Sequence, residues 1–159
     1  MGKVIQAHTF DKKNFETQLK DFKSLLDNNK ELNEQADILP FFNNNIDLSM
    51  AIGSINSVNL IPSNFDHEFN IFGDFVADLV VGSKKQNQFC FIEFEDAKKH
   101  SVFMGRKRPG KGAAFQFDFA TRFNHGYSQI IDWFYKLHDN QNSKSMRNIF
   151  GSSEIEYSG

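Results

Sequence analysis

The chain has 159 residues, 40% of them hydrophobic and 24% charged, with a formal net charge of −2. That length and balance suit one globular unit with a buried core, and they exclude a general electrostatic pull toward nucleic acid or membrane. Nineteen Phe imply a core built on aromatic packing, and the lone Cys90 excludes an internal disulfide and points to a cytoplasmic setting.

The N-terminus lacks the apolar core of a signal peptide, and Gln6 breaks the myristoylation pattern that Gly2 would open. No run reaches transmembrane length, so no membrane partner is expected. Residues 1–10 read as a short strand or arm leading to a helix capped by Thr9 or Asp11. Phe15, Leu19, Phe22 and Leu26 recur at helical spacing, with Leu25 widening the stripe. A second helical stretch runs from about Leu32 to Phe42, interrupted near Pro40, and Asn43 to Asn45 read as a loop. Over 46–61 the apolar pattern fits a helix or a strand equally.

Residues 65–72, 76–81 and 89–95 read as three strands of an antiparallel meander. Placing the second hairpin turn between Lys85 and Gln86 sets Asp78 across from Glu93. A slip of one residue would move Asp78 to the other face. Glu93 and Glu95 share a face, because strand side chains alternate. Acids inside apolar strands are costly unless something neutralises them. Three acids on two neighbouring strands therefore point to a cluster for a hard cation such as Mg²⁺, or Mn²⁺, which prefers oxygen ligands.

From Asp96 to Gly112 the chain reads as a loop carrying Lys98, Lys99, Arg106, Lys107, Arg108 and Lys111, with no acid between Asp96 and Asp118. A charge run is often just a solvated face; beside a carboxylate cluster it also suits contact with DNA phosphates. Phe115, Phe117 and Phe119 alternate, and a helix follows from about 120 to 137 with Phe123, Tyr127, Ile130, Ile131, Phe134 and Leu137 as its apolar stripe. Residues 139–148 read as a polar loop. A last strand begins near Glu154, and its abrupt end suggests a truncated boundary. The five His lack zinc spacing, and no serine elbow or phosphate-binding glycine loop is present.

Asp78, then Glu93-Phe94-Glu95, then Gln129 on a later helix, resembles the PD-(D/E)xK nuclease superfamily. Residues 91–97 with 125–134, preceded by Glu34 and Leu39 to Phe42, resemble more closely the Shedu antiphage nuclease domain, over most of residues 30–157. The resemblance implies an α/β (α+β) fold, a restriction-endonuclease-like core with a mixed central sheet flanked by helices. It implies one nuclease-like domain over 1–159, helical in 1–45, with the sheet core in 46–159. It further implies metal-dependent DNA cleavage, with Asp78, Glu93, Glu95 and Gln129 catalytic and Asp78, Glu93 and Glu68 binding metal. Glu95 stands where most relatives keep lysine. The alternatives are a catalytically inactive nuclease-like DNA-binding or assembly module, homo-oligomeric or not, and a plain helix-plus-sheet scaffold.

Overall fold

The computed structural model describes residues 5–55, 60–107 and 115–159, with backbone alone at 106, 107, 115 and 116. Its centre is a mixed sheet in the order β1-β2-β3-β4-β7. The strands are β1 (Gln6–Ala7), β2 (Asn64–Ile71), β3 (Phe75–Ser83), β4 (Gln88–Ile92) and β7 (Glu156–Ser158). The first four run antiparallel and β7 lies parallel to β4. The expected α/β architecture, a mixed sheet with helices on both faces, is what the chain adopts.

One face carries α1 (Lys12–Asn28), a π-helical turn (Glu34–Ile38), α2 (Leu39–Asn44) and α3 (Ile46–Gly53). Asp11 caps α1 by accepting from the Lys13 and Asn14 backbone N–H groups. The stripe of α1 that faces the protein is Phe15, Phe22 and Leu25, whereas Leu19 and Leu26 of the expected stripe are exposed. Gln18 joins that inner face and accepts the Leu48 N–H, so a polar residue holds a place that an apolar count assigns elsewhere. Asn43 and Asn44 end α2 and only Asn45 breaks the helical run, which corrects the expected loop. The ambiguous run at 46–61 opens as helix α3. Gly53 lets it lie against β3, since a Cβ there would meet Val81 Cβ at 2.6 Å. Met50, Phe65, Leu79 and Val81 form the core on this face.

The other face carries α4 (Thr121–Asp139) and α5 (Lys144–Phe150). Trp133, Leu137, Met146 and Phe150 are buried there against Phe69, Val80, Phe89 and Phe91. The buried positions of α4 are Gly126, Trp133 and Leu137, and Ile130 and Phe134 of the expected stripe pack beside them, whereas Tyr127 of that stripe is left 59% exposed. Helix α5 replaces the expected polar loop at its C-terminal half. Ser143 caps it by accepting the Met146 N–H, and Met146 and Phe150, one turn apart, supply its apolar side.

Two further expectations are corrected. Residues 103–107 are not loop: β5 (Phe103–Lys107) pairs with β6 (Phe115–Phe119) in a separate antiparallel hairpin. Strand β4 stops at Ile92 rather than running to Glu95. The cause is local, because the Phe94 N–H that a longer ladder would use is given to the Asp78 carboxylate at 2.7 Å.

Candidate active site: a row of acids across three strands

Leu79 pairs with Ile92, so the continuing register sets Asp78 across from Glu93, as the turn position predicts. The β2–β3 register brings Glu68 across from Asp78, between the pairs His67–Leu79 and Phe69–Ala77. Three acids thus lie in a row over β2, β3 and the end of β4. The row falls where the sheet is distorted. Glu68 has φ 47°, a left-handed conformation that is costly for a residue with a side chain. Phe65 packs on the α3 side while Phe69 and Ile71, of the same parity, pack on the α4 side. On a regular strand all three would share one face. The switch of face at Glu68 opens the ladder beside Asp78.

The electrostatics of the row follow from crowding. Burial pushes the Asp78 carboxyl above its ordinary value; the Phe94 N–H opposes this, and Glu34, Glu68 and Glu95 add to it. Glu93 is pushed up to about 8, first by burial and then by Asp78, Glu34 and Glu95, with a hydrogen bond from Gln129 working the other way. Glu93 Oε2 is buried without a hydrogen-bond partner. Gln129 of α4, placed near the acids by sequence, does meet Glu93. Glu34 was legible as a neighbour of the site only through the resemblance, and it proves close enough to act on both Asp78 and Glu93.

Asp96 and Arg122 are the residues that sequence reasoning missed. Asp96 is buried and binds the Lys98 Nζ at 2.6 Å, the Arg122 guanidinium and the Glu34 backbone N–H at 2.7 Å. The Lys98 hydrogen bond, the Glu34 N–H and the two cations hold its carboxyl below the usual range. Arg122 also stands 3.5 Å from Glu95. Asp96 thereby ties the π-helical turn, the end of β4 and the start of α4 into one frame around Glu93. No local motif marks partners 62 and 26 residues apart.

Of the expected DNA-contacting residues, Lys98 and Lys99 line a cleft of about 290 Å³ with His100, Asp96 and Arg122. Arg106 and Lys107 lie on β5, and Arg108 and Lys111 fall outside the described residues. A separate cavity of about 330 Å³ lies between the acids and α4, lined by Glu93, Glu95, Phe123, Gly126, Tyr127, Ile130 and Gly159. Among the described residues no three His, Cys, Asp or Glu side chains close on a common point as a ready-made ion cage. The donor set still suits a hard cation: all oxygen, crowded, and with Oε2 of both Glu93 and Glu95 buried without a hydrogen-bond partner.

The family model of the Shedu protein SduA C-terminal region matches residues 16–159. The chain belongs to the Shedu SduA C-terminal family. That makes it a domain of an antiphage defence protein. Neither the curated proteins nor the solved structures give a match. Among the described residues, no helix of this Shedu domain is long and apolar enough to cross a membrane.

Proposed function

We propose that this Shedu domain is a metal-dependent DNA endonuclease with a PD-(D/E)xK core, acting in the cytoplasm. The observation that carries the reading is Glu93: half-buried, opposite Asp78, pushed up to about 8, and with Oε2 unsatisfied. A carboxylate kept in that state loses stability for its fold, and perturbed acids of this kind concentrate at functional sites. Asp78, Glu93 and Glu68 are the residues that would hold Mg²⁺ or Mn²⁺. Such an ion, when bound, lowers the pKa of its water and neutralises charge on a phosphoryl oxygen.

The chain's own groups do the positioning. The Phe94 N–H fixes one oxygen of Asp78 at 2.7 Å. Gln129 orients Glu93. Glu95, at the position of the usual lysine, has the Arg122 guanidinium 3.5 Å away, so a cation reaches this end of the site from α4. Lys98, Lys99 and Arg122 supply positive charge for the DNA backbone, and Arg106, Lys107, Arg108 and Lys111 extend it in sequence.

A catalytically inactive DNA-binding or assembly module is the second reading, favoured by the glutamate at position 95. Nicking of plasmid DNA in Mg²⁺ or Mn²⁺ by the wild type, lost in Glu93→Ala with DNA binding retained, supports the nuclease. A wild type that binds DNA and cuts none of it in either metal supports the module.

A further inference from the structure

The cavity beside Glu93 and Glu95 has two unlike sides. The acids form one, and Phe123, Gly126, Tyr127 and Ile130 of α4 form the other, with Gly159 at the edge. Its volume, about 330 Å³, is that of a small-molecule pocket. Phe123 is also the inner end of an aromatic row. Its ring stacks on Phe119 at 4.6 Å with 15° between planes, and Phe119 stacks on Phe103 at 5.4 Å with 25°. Phe119 and Phe103 stand on the β5–β6 hairpin, each about half exposed, at 52% and 51%. A track of rings thus runs from the surface of the hairpin into the cavity.

Charge decides what such a track receives. The residues lining the cavity include no Lys, Arg or His, so nothing in it attracts a phosphate. The cleft with Lys98, Lys99, His100 and Arg122, which Glu31 and Asp96 also line, adjoins it through Arg122, 3.5 Å from Glu95 and next to Phe123 in the chain. A phosphate in the cleft and a flat, uncharged ring in the cavity would place one nucleotide astride the acids. A base in an intact duplex is covered on both faces by its neighbours and cannot present itself to a side-chain ring. An unpaired base can, and base–aromatic stacking is tolerant of sequence.

We propose that the cavity between Glu93, Glu95 and α4 receives an unstacked nucleobase, with the adjoining phosphate in the Lys98–Arg122 cleft, so that this domain engages single-stranded or frayed DNA in preference to closed duplex. The proposal deepens the nuclease reading and rests on it for the role of the acids, but its test does not depend on cleavage.

The test is binding, followed by fluorescence anisotropy in Ca²⁺ in place of Mg²⁺. The probes are a short single strand, a closed hairpin duplex of the same sequence, and a strand of equal length with abasic sugars throughout. The wild type should hold the single strand about tenfold more tightly than either other probe. Tyr127→Ala should erase that preference while leaving abasic binding unchanged, and Tyr127→Phe should keep it. Tyr127 is largely exposed, so both variants should fold, as circular dichroism and melting will show. Equal affinity for intact and abasic strands, equal loss on all probes with Tyr127→Ala, or no binding of any probe overturns the proposal. So does a dimer that Tyr127→Ala dissociates, which would give the aromatic row to a second copy. A protein that shows the base preference yet cuts nothing in Mg²⁺ or Mn²⁺ keeps the pocket and sinks only the nuclease chemistry.

Discussion

Glu93 and Asp96 are three residues apart, both withdrawn from water, and opposite in character. Asp96 is surrounded by donors: Lys98, Arg122 and the Glu34 N–H all face it, and its carboxyl is held below the ordinary range. Glu93 is surrounded by acids, has Gln129 as its hydrogen-bond partner, and is pushed up to about 8. Burial alone therefore predicts neither state; what matters is whether the fold supplies the compensating charge. Asp96 is compensated from within and acts as a structural tie. Glu93 is left uncompensated, which suits a group awaiting something from outside.

The largest expected effect breaks the Glu93 side. Glu93→Gln, or Asp78→Asn, should lower metal-dependent nicking by about a hundredfold or more while leaving the melting temperature unchanged or raised, read from plasmid gels and thermal melts. On the other side, Asp96→Ala should cost stability, about 1–2 kcal/mol in urea titration. Lys98 and Arg122 reach Asp96 from the solvent side, where water screens the pairing. Activity should fall with it, since the same change frees Arg122 from its place.

Acidity should separate the two carboxyls by sign. Glu93 is raised from 4.5 to about 8, so the folded state holds a proton that the unfolded chain releases. Its contribution is fully present below about 4.5 and is lost as the pH climbs to about 8; Asp78, also raised, adds in the same direction. Asp96 is lowered, so its contribution is present above the ordinary carboxylate value and is lost as the pH falls below it. Melts at pH 5 and pH 8 should therefore converge in Glu93→Gln, and the acid-side loss should shrink in Asp96→Ala. The smallest effect is ligand linkage. Mg²⁺ should raise the melting temperature by a few degrees at pH 8 and less at pH 5, because a cation competes with the protons on Glu93 and Asp78. Glu93→Gln should remove the difference.

The contrast also marks what the sequence can disclose. The facing of Asp78 and Glu93 was legible because a hairpin turn fixes register over a few residues, and apolar flanks make embedded acids visible. Asp96 and Arg122 were not, since an acid after a strand and an arginine opening a helix carry no local mark. Their pairing exists only once α4 docks. The expected inner face of α4 holds at Ile130, Phe134 and Leu137 and fails at Tyr127, which is apolar by composition and yet faces water, while Gly126 and Trp133 are buried. Helix α5 was missed because its polar lead-in, Asn140 to Ser143, masks a short apolar pair, Met146 and Phe150. The β5–β6 hairpin was missed because glycines and cations hid its alternation.

Glu68 carries a consequence beyond the chemistry. At φ 47° a glycine would sit at ease, whereas a glutamate holds this bend at roughly 1–2 kcal/mol. The protein is thus sturdier in principle than in fact, and by a known route: Glu68→Gly should relax the bend and remove one acid from the row in a single stroke.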